Sequence, residues 1–363
     1  MKTNKKWLIF PLTVLIVACL CFTLYSSHNL VLEFIFTGRA SEYSLLDEDW
    51  KYQVRKNWRD YPALADREEI DFWEGGDKHH GYFYEAESPK GLILLVHGYG
   101  SLSDGHEAAL ADYFYRDSWS VFQVDLTASG KDEDRRTEGM ECGPGDVAET
   151  IRYLQKEERF SIYRESLCLM GYSWGGYSVG AALTRDFEYA PKAVVSFAGF
   201  NSTVGEMLAL AKKHVGGLAD FLTPFFKIGM LQNRGDQCFA SAVSGFNHYP
   251  DTKVILVQGE QDDTVPADSA AIWNYADKIE NPSRLIRYSD GLIQRDHYSI
   301  WYSDEAYEYY ANEAKSEYSS LLAEYGSRSA IPEEKIQAMK QKSSVVNEEM
   351  LHTISEQFVL ALA

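Results

Sequence analysis

Leu167-Cys168-Leu169-Met170-Gly171-Tyr172-Ser173-Trp174-Gly175 is the stretch on which the reading of this chain turns. Its first four residues are apolar without a break, as a strand buried on both faces requires. Residues 174–185 then read as a helix. Between the two, glycines stand two places either side of Ser173, where neighbouring backbone approaches too closely for a Cβ. The pattern G-x-S-x-G carries weight only in this order of strand, sharp turn and helix. Such a turn lifts the serine hydroxyl out of the sheet. The helix N-terminus beside it favours negative charge developing there. Ser173 is the candidate nucleophile.

Outward from it, apolar runs alternate with helical stretches. Candidate strands are Gly91–Val96, Ser120–Asp125, Leu167–Tyr172, Ala193–Ala198, Lys253–Gln258 and Arg284–Tyr288. Helical patterns fall near 105–116, 145–157, 174–185 and 267–279. Glu69–Trp73 and His80–Glu85 flank Gly75-Gly76 and read as a hairpin leading in. The alternation predicts an α/β fold, a mostly parallel sheet with helices on both faces. Residues 200–250 separate two strands by more than a usual connection, and their apolar helical content reads as an inserted cap. Phe200, Phe221 and Phe225 are its candidate substrate contacts. Residues 304–363 form a helical tail, with Tyr307, Tyr310, Ala314 and Tyr318 at helical spacing.

The partners of a nucleophilic serine follow in chain order. Gly259-Glu260-Gln261-Asp262-Asp263-Thr264-Val265-Pro266 follows a strand and offers the acid. Asp262 is favoured, with Glu260 and Asp263 as competitors. The base should lie beyond it. His297, after the last strand, fits; His106, His214 and His248 precede Asp262, and His352 sits in an amphipathic tail helix. His97-Gly98-Tyr99-Gly100 ends the run Gly91–Val96 and is read as an oxyanion loop. The amides of Tyr99 and Trp174 would point at the tetrahedral oxygen, and His97 would brace the loop.

These motifs make the chain resemble the α/β-hydrolase superfamily over roughly residues 69–300. The resemblance is to its serine aminopeptidase-like and monoacylglycerol lipase-like branch, and to membrane-anchored bacterial hydrolases of that type. Asp125-Leu126-Thr127-Ala128-Ser129-Gly130 resembles a family loop in which Thr127 stands for Arg and Ser129 for His. Gly139-Met140-Glu141, with Asp146 beyond, matches another family pattern. The tail after His297 is longer than the family's usual ending. The resemblance implies acyl transfer through Ser173, His297 and Asp262, without metal or organic cofactor. The substrate expected is a small-molecule ester or a short peptide, with the ester ranked first because an alcohol leaves more easily than an amine. A non-catalytic binding protein on a hydrolase scaffold is the reading from another class.

Composition bounds the rest. The net charge of −19 disfavours nucleic acid as a partner. Five cysteines give no disulfide framework and no zinc spacing. A Cys142–Cys238 bridge is conceivable in an exported body. Lys2, Lys5 and Lys6 precede an uncharged run from Trp7 to Tyr25, about the length that crosses a bilayer core. Residues 1–28 are therefore expected to anchor the body, residues 29–363, outside the cytoplasm. A cleaved signal is the alternative, as is lipidation at Cys19 within Ile16-Val17-Ala18-Cys19.

Overall fold

The computed structural model describes residues 11, 13–22, 50–100, 105–132, 139–234, 238–280, 285–288 and 295–363. Eight strands form one sheet: β1 (Glu68–Glu74), β2 (Asp77–Tyr84), β3 (Leu92–Val96), β4 (Ser120–Asp125), β5 (Leu167–Tyr172), β6 (Ala193–Phe197), β7 (Lys253–Val257) and β8 (Leu285–Tyr288). Their order is β1-β2-β4-β3-β5-β6-β7-β8. β2 runs antiparallel to both β1 and β4, and every other pair is parallel.

The apolar runs of the central strands are continuous because β3, β4, β5, β6 and β7 are buried on both faces. Side chains alternate between two cores. Leu92, Leu94, Val96, Leu167 and Leu169 face one, while Ile93, Leu95, Cys168 and Met170 face the other. Helices α2 (Gly143–Lys156) and α3 (Trp174–Ala182) cover the first face, through residues such as Val147, Ile151 and Trp174. The second face is covered by α1 (Ala108–Arg116) and by α10 (Glu348–Leu362), which lies at the far end of the chain. Met350, Leu351, Ile354 and Phe358 of α10 pack into that core, and Trp119 Nε1 donates to Ser355 Oγ at 2.9 Å.

Between β6 and β7 come α4 (Thr203–Val215), α5 (Leu218–Arg234) and α6 (Ala242–His248). Ser202 caps α4 by accepting from the Gly205 amide at 3.2 Å. α5 packs chiefly on α4, whereas α6 returns to the body against α3, with Ala242 and Phe246 in the core.

The stretch 267–279 is not an α-helix. Phe200 holds Ala271 in a bridge, with Ala271 extended at φ −58° and ψ 143°, so only Ile272–Lys278 coils, as a 3₁₀-helix. In the tail, α7 (Asp304–Tyr309), a π-turn at Tyr310–Ala314, α8 (Lys315–Tyr325) and α9 (Glu333–Ser343) precede α10. Tyr310, Ala314 and Tyr318 form a small core of their own with Val54. Trp50 joins it, its ring 5.1 Å from that of Tyr310.

Only residues 11 and 13–22 of the N-terminal apolar run are described. Residues 13–22 are helical and expose Val14, Leu15, Ile16, Val17, Leu20 and Phe22. Among the described residues no helix is long and apolar enough to cross a membrane. Cys142 and Cys238 form no disulfide; the Cys142 thiol donates to the Gly139 carbonyl at 3.0 Å.

Candidate active site

Ser173 is set by the junction of β5 and α3. Its backbone is held at φ 54° and ψ −113°, a region that L-residues rarely occupy. The flanking glycines make that turn possible. A Cβ on Gly171 would stand 2.2 Å from the Gly175 carbonyl oxygen, and one on Gly175 would stand 2.1 Å from that of Val96.

The loop after β7 and the segment after β8 close on this serine. His297 Nε2 lies 2.9 Å from Ser173 Oγ, and His297 Nδ1 lies 2.7 Å from Asp262 Oδ2. A carboxylate only accepts, so Nδ1 carries the proton and Nε2 offers its lone pair to the serine hydroxyl. All three residues are buried, with Ser173 the most accessible at 8%.

Asp262 is fixed by further donors. Oδ1 accepts from the amides of Thr264 (2.9 Å) and Val265 (2.8 Å), and Oδ2 also accepts from Gln258 Nε2 (3.0 Å). Gln258 ties the same loop down by donating to the Val265 carbonyl at 3.2 Å. The competitors Glu260 and Asp263 are exposed. Tyr172 donates its hydroxyl to the His297 carbonyl at 2.9 Å, so His297 is hydrogen-bonded to the strand that leads to Ser173. Neither Gln258 nor Tyr172 stands out in the sequence. The only signal for Tyr172 is its place beside Ser173.

The loop after β3 is braced from below. The Leu126 amide donates to His97 Nε2 at 3.1 Å, so Nδ1 holds the ring proton and donates to the Gly98 carbonyl at 2.7 Å. Burial pushes the His97 pKa down and keeps the ring neutral. Buried Glu107 accepts the Gly98 amide at 2.9 Å, which commits that donor and leaves the loop's next amide, at Tyr99, as the oxyanion candidate. The Tyr99 and Trp174 rings meet edge-on, with centroids 5.8 Å apart. Trp174 is the first residue of α3, so its amide has no acceptor within the helix.

The two family-like loops meet as well. Thr127 donates through both its amide (2.8 Å) and its hydroxyl (2.9 Å) to Asp146 Oδ2. Burial still pushes the Asp146 pKa up to about 7.

Of the three phenylalanines expected to contact substrate, Phe200 is a core residue stacked on Tyr177 at 4.7 Å. Phe221 is 66% exposed on α5. The Phe225 side chain lies outside the described residues. A residue missed in the sequence is Glu206, in the first turn of α4. It is buried, and among the described residues its Oε2 has no hydrogen-bond partner. Burial, reinforced by the negative charge of Asp262, pushes its pKa up to about 8.

The comparisons with known proteins agree with this frame. A family model described as serine aminopeptidase, S33, matches residues 87–245, somewhat under half of the chain. An esterase of Pyrococcus furiosus superposes with a TM-score of 0.51 at 15% identity, over 74% of this chain and 97% of the other. The chain has the α/β-hydrolase fold. A second crystal form of that esterase aligns with this chain at a TM-score of 0.50 and 14% identity, over 71% of this chain and 91% of the other. An acylaminoacyl peptidase of Pyrococcus horikoshii aligns at 0.47 and 16%, over 65% and 38%. At such identities the likeness is one of fold. No curated protein sequence matches this chain.

Proposed function

We propose that this protein is a serine hydrolase that cleaves a carboxylic ester in two acyl-transfer steps. The line Ser173–His297–Asp262, hydrogen-bonded at 2.9 and 2.7 Å, carries the reading. His297 Nε2 takes the hydroxyl proton as Ser173 Oγ attacks the carbonyl carbon. The amides of Tyr99 and Trp174 stabilise the oxyanion, each worth about 10²–10³ in rate by analogy with other such donors. Asp262 holds the imidazole tautomer and offsets its transient positive charge. The proton then passes to the leaving alkoxide, which departs as alcohol. Water, deprotonated by His297, attacks the acyl-enzyme, and the proton returns to Ser173 as the acid leaves.

Amide cleavage is the second reading, supported by the description of the matching family model. A fluorophosphonate probe should label wild type and leave Ser173→Ala unlabelled. Short and long p-nitrophenyl esters should be hydrolysed faster than aminoacyl-anilides. Labelling or turnover that survives in Ser173→Ala would overturn the mechanism. Anilide cleavage without ester cleavage would reverse the substrate ranking. No labelling of folded wild type would favour a binding protein on this scaffold.

We further propose that residues 7–25 hold the body at the outer side of a membrane. The lysines before them and the exposed apolar side chains of residues 14–22 support this. Protease accessibility of the body in intact cells tests it; protection until the cells are lysed would overturn it.

A further inference from the structure

The hairpin of α4 and α5 presents an apolar face to solvent. Leu218, Phe221, Ile228 and Leu231 are exposed along α5, and Val215 is exposed at the end of α4. At about 100° per residue, buried Ala219 and Met230 share one side of α5, whereas Phe221 and Ile228 lie on the opposite side. α5 packs chiefly on α4, and among its described side chains Ala219 and Met230 are the buried ones. Large exposed apolar side chains gathered on one side of a helix mark a contact with something else.

Charge indicates what that is. The chain carries a net −19, yet this hairpin runs the other way. It holds Lys212, Lys213, Lys227 and Arg234 against Glu206 and Asp220. Glu206 is buried, with its pKa raised, and Asp220 is paired to Lys212 at 2.8 Å. Lys213 and Lys227 are exposed at the flanks of the apolar face. A helix with apolar residues on one side and lysines beside them sits in the interface of an anionic bilayer. A second copy of this chain would bring another strongly anionic body against this one, which net charge disfavours. The exposed apolar helix at 13–22, preceded by three lysines in the sequence, has the same chemistry at a separate place in the chain.

We propose that the outer face of the α4–α5 hairpin docks on an anionic lipid bilayer, with Phe221, Ile228 and Leu231 in the acyl region and Lys213 and Lys227 at the headgroups. Docking does not depend on the acyl-transfer reading, and its test does not use activity.

The test uses the full chain with Phe221→Trp, mixed with phosphatidylglycerol vesicles whose acyl chains are brominated. Ile162→Trp is the control, because Ile162 is equally exposed but sits on the body, 68% accessible. Both sites are at the surface, so neither variant should disturb the fold. Relative to wild type, the added fluorescence of Phe221→Trp should fall at least twofold in brominated vesicles, while that of Ile162→Trp should not. Pure phosphatidylcholine vesicles, or Lys213→Glu with Lys227→Glu in the Phe221→Trp background, should remove most of the quenching. Equal quenching at both sites, or none at Phe221→Trp, would overturn the proposal. So would quenching indifferent to lipid charge. Concentration-dependent dimerisation that buries the introduced indole without lipid would assign the face to a second copy and overturn it too.

Discussion

Ser173 is held at φ 54°, and a backbone of that kind costs on the order of 1–3 kcal/mol. The surrounding hydrogen bonds impose it: the Ser173 amide donates to the Phe197 carbonyl at 2.8 Å, and its own carbonyl accepts from Tyr177 at 3.0 Å. Ser173→Ala should leave the fold intact and reduce kcat by about 10⁴ or more, read by ester turnover beside a thermal melt. Tyr172 positions His297 and touches no reacting atom. Tyr172→Phe should cost about 1 kcal/mol of stability and lower kcat while leaving KM nearly unchanged. Glu206 gives a pH test. Its carboxyl ionises near 4.5 when unfolded and near 8 in the fold. Between those values the folded state keeps a proton that the unfolded state has lost, so this residue's contribution falls as pH rises through that window. Glu206→Gln should therefore raise Tm more at pH 8 than at pH 5, by at most a few kcal/mol in equivalent stability. An equal shift at both pH values would show that burial of the charge is not the cause.

Elements set where those residues can be. α3 passes so close to β3 that a Cβ on Gly175 would press into the Val96 carbonyl. Gly175→Ala should therefore either fail to fold or displace Ser173 and abolish turnover, as circular dichroism and activity together would show. α4 needs less from the body, since it turns in only Thr203, Glu206 and Met207. α10 needs far more. Phe358 is fully buried against Trp119, with ring centroids 5.6 Å apart. Phe358→Ala should cost about 3–5 kcal/mol, measured by denaturant unfolding. A near-neutral result would mean that α10 is not part of the second core.

At the scale of the whole molecule, the tail and the segment before β1 are joined through Arg55. Its guanidinium stacks over Tyr302 at 3.7 Å and Tyr310 at 4.1 Å. It donates to Ser299 Oγ at 3.1 Å and to the Ser343 carbonyl. Ser299 lies two residues beyond His297, so distant parts of the chain converge on the segment that carries His297. Arg55→Ala should destabilise by about 3 kcal/mol or more, because buried acceptors and rings lose their partner. It should lower kcat more than it changes KM, through looser placement of His297. A melt and steady-state kinetics on one preparation would separate the two effects.

Periodicity and turn residues are local, and they wrote most of the sheet into the sequence. The runs at β4 and β5 need no context to be read as buried strands, and Gly171-Tyr172-Ser173-Trp174-Gly175 announces its own turn because only glycine fits beside that serine. Chain order singled out Asp262 and His297 as candidates. Their convergence on Ser173 was decided by tertiary structure alone, since residues 124 apart in sequence meet at 2.9 Å. The same holds for Glu206. A glutamate in the first turn of a helix reads as a solvated cap-side charge, and only packing reveals that it is buried with an Oε2 that has no hydrogen-bond partner among the described residues. The sequence determined which residues could do chemistry, because local geometry restricts the choice. Tertiary structure decided which of them face one another, because burial and hydrogen bonding between distant segments carry no local signature.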